Sequence, residues 1–225
     1  GLNIRSSSDM SEQFGLNFDE PEETKVSAKN SPKISKEQRI LYFDLETQKS
    51  ADDVDGWANI HLMELAVGVV WDSLEQRFFS YLENEASQLV RKLKSADLVV
   101  GFNVAKFDYG VLQPYATKMD FDLEEITTFD MLVDINKKLG HRLSLNHLAE
   151  KTLNAKKSAD GLVSLQWYKE GKIEKIIEYC KQDVEITRNL FLYGESHGYI
   201  KYSTRSGVVK DLKVDWKIPS LISPP

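Results

Sequence analysis

Three strand-like runs follow one another between Arg39 and Leu82 with no helical pattern between them: "RILYFDLET", "HLMELAVGVVWD" and "QRFFSYL". Strands joined without a crossover pair as antiparallel hairpins. Helical spacing appears only afterwards, in "EASQLVRKLKSA", before "DLVVGFN" returns to strand. A helix through "FDYGVLQPYA", a short strand at "TTFDML", helices across "VDINKKLG" and "SLNHLAEKTL" and a long helix over "KIEKIIEYCKQDVEITRNLFLYGESHG" complete the order. This βββαβαβα…α pattern predicts an α/β fold: a mixed five-stranded sheet, its first three strands antiparallel, with helices on both faces. The segment "YIKYSTRSGVVKDLKVDW" reads as a closing hairpin over about 200–217, turning at Ser206-Gly207.

Within the first strand, side chains alternate between faces, so Tyr42, Asp44 and Glu46 share one side while Leu41, Phe43 and Leu45 share the other. Two carboxylates on one face of a central strand resist joint ionisation unless something positive sits between them. A lone D-x-E arises by chance roughly once in a chain of this length. The sequence carries its own control: "FDLEE", Phe121–Glu125, repeats the residues after "ATKMD" and reads as a solvated loop or helix start.

Two further acids stand in telling places. Asp108 lies just past the strand "DLVVG", where polar residues of α/β sheets line the ligand crevice. On the long helix one arc holds Ile173, Ile176, Ile177, Tyr179, Cys180, Val184, Ile186, Thr187, Leu190 and Phe191, and Asp183 alone breaks it, one turn after Tyr179. Asp44, Glu46, Asp108 and Asp183 together call for cations. Oxygen donors without clustered Cys or His select Mg²⁺ or Mn²⁺ over zinc, and two such ions form the clamp used in phosphodiester cleavage.

Composition sets limits around that reading. The 225 residues carry 41% hydrophobic side chains, enough for a sizeable core, and a net charge of -6 argues against binding nucleic acid or membrane through a broad basic surface. One cysteine excludes an internal disulfide and a cysteine-based structural zinc site, and suits a reducing compartment. No transmembrane-length apolar run or secretory pattern occurs, so no membrane partner and a cytoplasmic location are expected. Residues 1–37 are rich in Ser, Glu, Lys, Asn and Pro and read as a tail or linker ahead of a domain over 38–219; Gly1 in place of Met suggests a piece of a longer chain. His61, His141, His147 and His197 lack ligand spacing, and no P-loop is present.

The motifs "YFDLET", "GFNVAKFD" and "YCKQD" resemble the three exonuclease motifs of the DEDD superfamily of RNase H-like 3′-to-5′ exonucleases, in order and with the family's spacing over Gln38 to about Tyr199. Tyr179 four residues before Asp183, with Glu178 where the other branch has His, is similar to the DEDDy branch. The stretch from Ser144 to Thr187 also resembles uncharacterised bacterial RNase H-like domains found alone or fused to helicases.

The resemblance implies that Asp44 bridges two ions, that Glu46 and Asp183 hold the one that activates water, and that Asp108 supports the other. Tyr179 would orient the water. Leu45 and Thr47 would meet the terminal nucleotide, Asn103 the phosphate and Phe107 the bases. Asp130 would be structural, and Trp167 and Tyr168 packing. The expected substrate is the 3′ end of single-stranded DNA or RNA, with a helicase or polymerase as partner or fusion. Two alternatives stay open: an RNase H-like structure-selective endonuclease, and a non-catalytic nucleic-acid-binding module whose acids hold a structural ion.

Overall fold

The computed structural model describes residues 37–156 and 159–223. The expected N-terminal tail, apart from Glu37, lies outside them. Five strands form one sheet in the order β3-β2-β1-β4-β5: β1 (Ile40–Thr47), β2 (Leu65–Asp72), β3 (Arg77–Leu82), β4 (Leu98–Gly101) and β5 (Thr128–Asp130). β1, β2 and β3 pair antiparallel, whereas β1–β4 and β4–β5 are parallel. The mixed five-stranded sheet expected from the element order, its first three strands antiparallel, is the one observed.

The alternation along β1 divides the core in two. Leu41, Phe43 and Leu45 pack with residues of α1 (Ala86–Lys94) and α2 (Tyr109–Thr117). Ile40 and Tyr42 join the cluster built with α3 (Met131–Leu139), α4 (Leu145–Leu153) and α6 (Ile173–His197). Helices therefore cover both faces, and Asp44 and Glu46 continue the α6 side of the strand.

β1 outruns its parallel neighbour. Its pairing with β4 ends at Tyr42↔Val100, and its register with β2 shifts between Glu46 and Thr47. The chain leaves β4 sharply: a Cβ on Gly101 would lie 2.6 Å from Val104 Cβ, so the turn requires glycine, and Asn103 follows at φ 58°. A π-helical turn over Val104–Asp108 then leads into α2, with the Tyr109 N–H on the Val104 carbonyl. A crevice is left beside the end of β1.

Two expectations need correction. The second strand begins at Leu65, because Trp57–Leu62 forms a 3₁₀ segment that takes in His61 and Leu62. A nine-residue helix, α5 (Gly161–Lys169), was not expected from the sequence. The closing hairpin is present as β6 (Tyr199–Ser203) and β7 (Val209–Lys213). Its main structural effect is to return Trp216 to the core, where the ring stacks on Phe191 and its Nε1 donates to Asp134 at 2.8 Å. A short helix, α7 (Ile218–Ile222), packs onto the same cluster. No described helix is long and apolar enough to cross a membrane.

Candidate active site

The four acids reach one place from three directions. Asp44 and Glu46 stand on β1, Asp183 comes from α6 above that face, and Asp108 arrives through the π-helical turn at the open edge. Because β4 no longer pairs there, the Leu45 N–H is available to Asp108, whose Oδ1 accepts it at 3.1 Å. Asp108 is 2% exposed, so its role is not that of a solvated acid at a helix start. The charge of Asp44 bears on Asp108, so the two carboxyls resist ionising together.

Electrostatics in this cluster runs against ionisation. Burial, and then the charge of Asp183, pushes the Asp44 carboxyl up to about 8. Glu46 is raised well above its ordinary value by burial, then by Asp44 and Asp183; Asp108 is raised by burial and by Asp44. Among the described residues, no ion pair includes Asp44, Glu46 or Asp108. The donor set suits hard divalent cations, whose charge would offset this repulsion.

Two neighbours escaped the sequence reading. The Cys180 thiol, held neutral by burial and the surrounding acids, donates to the Asp44 backbone carbonyl at 3.4 Å and lies 3.7 Å from Oδ2. Its sulfur and the Asp44 and Glu46 oxygens lie within 4.8 Å of one another. A protonated thiol is a poor ligand, so it acts here as a donor that fixes Asp44. Ser164 on α5, 1% exposed, has its hydroxyl 3.0 Å from Glu46 Oε2 and 2.9 Å from the Gly161 carbonyl.

Asp44, Glu46 and Asp183 open onto a cavity of about 480 Å³ that Leu45, Thr47 and Phe107 also line. Its rim comes from Lys49 to Asp52, Trp57 and the start of α5. Lys49 is its single cation among the described lining residues, and Glu64 takes the ammonium at 2.7 Å. Thr47 points its hydroxyl at the Lys49 carbonyl at 2.8 Å. Phe107 does two things, packing on the core and facing the cavity.

Tyr179 and Asn103 lie elsewhere. The Tyr179 hydroxyl donates to the Ala159 carbonyl at 2.8 Å, and its ring meets Trp167 edge-on in an adjoining depression. Asn103 lines a separate hollow with Arg142 and Ser144. Its N–H, with those of Ala105 and Leu132, is held by Asp130, which is thus the brace of the turn. His147 is a satisfied polar residue, its Nε2 accepting the Ser203 N–H.

A family model described as the RNase_H superfamily matches residues 41–193. Among solved structures, the chain is similar to the family B DNA polymerase from the hyperthermophilic archaeon Pyrobaculum calidifontis, with a TM-score of 0.52 and 18% identity. The likeness covers 71% of this chain and 26% of the polymerase, about a quarter of its length, and at that identity shows the fold alone. No curated protein matches.

Proposed function

The chain belongs to the RNase H superfamily, and from that premise we propose that it is a metal-dependent 3′-to-5′ exonuclease of the DEDDy type, acting on single-stranded DNA or RNA. One observation carries the reading: Asp44, Glu46, Asp108 and Asp183 meet at the open end of β1 with their charges uncompensated by any ion pair of the first three among the described residues. Such a cluster is costly unless it works on a ligand that supplies positive charge.

Asp44, Glu46, Asp108 and Asp183 would hold two ions, Mg²⁺ or Mn²⁺. When bound, these ions supply stabilisation of the negative charge that builds on a phosphodiester under attack. The residues of the chain do the rest. Leu45 and Thr47 border the terminal nucleotide, and Phe107 offers its ring to a base. Ser164 and Cys180 restrain Glu46 and Asp44, so the donor atoms need little reorganisation. Tyr179 would align the attacking water once its hydroxyl leaves the Ala159 carbonyl, and Asn103 would face a phosphate further along the strand. Water adds to phosphorus, the bond to the 3′ oxygen breaks, and a 5′-nucleotide leaves.

The likeness to a DNA polymerase supports a nucleic-acid substrate and is compatible with a polymerase or helicase as partner or fusion. The test uses linear strands labelled at either end beside a circular single strand, in Mn²⁺. Stepwise loss from the 3′ end with the circle intact is expected. Cleavage of the circle would replace this reading with an endonuclease on the same fold, and binding without turnover would replace it with a non-catalytic module.

A further inference from the structure

Cations collect on the β6–β7 hairpin and its exit, where Lys201, Arg205, Lys210, Lys213 and Lys217 stand against two acids, Asp211 and Asp215, in a chain whose net charge is -6. Among the described residues only Lys201 of these five makes an ion pair, with Asp211 at 3.3 Å. Cations left uncompensated side by side on one element attract an anionic polymer. We propose that the outer face and turn of this hairpin are a second nucleic-acid surface, remote from the acids, which holds the phosphate backbone of a single strand on the 5′ side of the end being removed. The proposal rests on the nuclease reading only for the direction of the strand.

Alternation sorts the hairpin's side chains into two faces. Ile200, Tyr202 and Leu212 turn inward onto the core cluster. Tyr199, Lys201 and Ser203 of β6, opposite Lys213, Asp211 and Val209 of β7, form the outer face. The Tyr199 ring meets Tyr193 and His197 edge-on, with centroids 5.8 Å away in each case, while those two rings stack on each other at 3.9 Å. Lys201 Nζ stands 5.7 Å from the centre of the Tyr199 ring. Lysines on an edge strand also keep it from pairing with another chain, but that task needs neither an arginine in the turn nor a group of rings beside the cations. A single strand uses both, its phosphates taking the cations and its bases the π-faces.

The hairpin is fixed and aimed by α4. The Thr152 hydroxyl accepts the Lys201 N–H at 2.9 Å and donates to the Lys201 carbonyl at 3.0 Å, and His147 Nε2 accepts the Ser203 N–H at 3.0 Å. Because His147 precedes Thr152, β6 runs back along α4 and carries the turn with Arg205 toward that helix's N-terminal end. There Ser144 and the exposed Arg142, which makes no ion pair among the described residues, line the hollow that also holds Asn103. The hollow and the hairpin thus follow one another along the roughly 12 Å of α4 from Ser144 to Thr152. A strand leaving the acids finds few cations before them, since Glu64 already takes Lys49.

The test is binding of labelled single strands of about 4 and about 20 nucleotides in Ca²⁺, read by fluorescence anisotropy between about 50 and 200 mM salt. The parent is compared with a reversed triple variant, Arg205→Glu, Lys210→Glu and Lys213→Glu, and with a charge-keeping one, Arg205→Lys, Lys210→Arg and Lys213→Arg. All three side chains are exposed. On the long strand, reversal is expected to weaken binding at least tenfold and to flatten the slope of log affinity against log salt concentration by about 2, at about 0.7 per single-strand phosphate contact, while the charge-keeping variant retains both. On the short strand, which stays at the acids, the reversed variant should lose far less, because charges beyond a Debye length are screened. Equal losses on both lengths, no loss on the long strand, or a parent that binds the long strand no better than the short one would overturn the surface. A length-dependent loss in a protein that releases no nucleotide would keep the surface and sink the nuclease reading, and release of nucleotide with equal binding by parent and reversed variant would do the opposite.

Discussion

Replacing Asp44 by Asn is expected to stabilise the metal-free protein while destroying its function. In the fold the Asp44 carboxyl keeps its proton up to about pH 8, whereas in the unfolded chain it loses it near its ordinary value of 3.8. The folded-state value is raised, so the stability this group contributes in acid declines as pH climbs from about 4 and is gone by about pH 8. At about 1.4 kcal/mol per pH unit, the deficit is about 2 kcal/mol at pH 5, about 4 at pH 7 and about 5 at pH 8. Asn carries no such slope. Weakening of the contact from the Cys180 thiol to Oδ2 returns about 1 kcal/mol, leaving a net gain of about 3 kcal/mol at pH 7. For a domain of this size that raises Tm by about 9 °C. Thermal melts of both proteins in chelator at pH 5, 7 and 8 read it directly, and excess Mn²⁺ should raise the parent alone. Coincident melts at pH 8, or a gap that closes as pH rises, would refute the view that these acids strain the empty fold.

Other outcomes follow from the same contacts. Apparent affinity for Mn²⁺ should rise with pH up to about 8, by as much as tenfold per unit for each proton displaced, as titrations at pH 6, 7 and 8 would register. Ser164→Ala should weaken Mn²⁺ binding about tenfold by freeing Glu46, with the melt in chelator little changed; unchanged Mn²⁺ affinity would remove Ser164 from the site. Gly101→Ala should cost about 2 kcal/mol or more, because the new Cβ meets the buried Val104, and the displaced turn should carry Asp108 off Leu45 and lower metal affinity as well. Trp216→Ala should lower Tm by about 10 °C, since a ring 1% exposed is removed from the Phe191 stack.

The sheet was legible because its evidence is periodic and short-ranged. Alternation along Ile40–Thr47 separates the face that meets α1 and α2 from the face that meets α6, and the order of runs gives the mixed pairing. Asp183 was legible as the one acid that interrupts an apolar arc, and the structure brings it to the β1 acids. Asp108 could be placed at a strand end, yet its hold on Leu45 depends on a π-helical turn that no spacing rule reveals. α5 was missed because its polarity is inverted, with Leu162 in water and Ser164 inside. Cys180 reads as an ordinary core residue, and only the fold puts its thiol on Asp44. The second strand was drawn too long because Met63 is buried at the end of a 3₁₀ segment and extends the apolar run. Trp57 has no periodic signature at all; only the fold shows it exposed on the rim of the cavity that holds the acids.

The most direct measurement is release of the 3′-terminal nucleotide from 3′-labelled single-stranded DNA and RNA in Mg²⁺ or Mn²⁺, with Asp183→Asn beside the parent. The account predicts release by the parent on at least one polymer, abolished by chelator and reduced by at least a thousandfold in Asp183→Asn, about 4 kcal/mol of lost stabilisation. Equal release by parent and variant, or none from a folded parent shown to bind its metal, would contradict it.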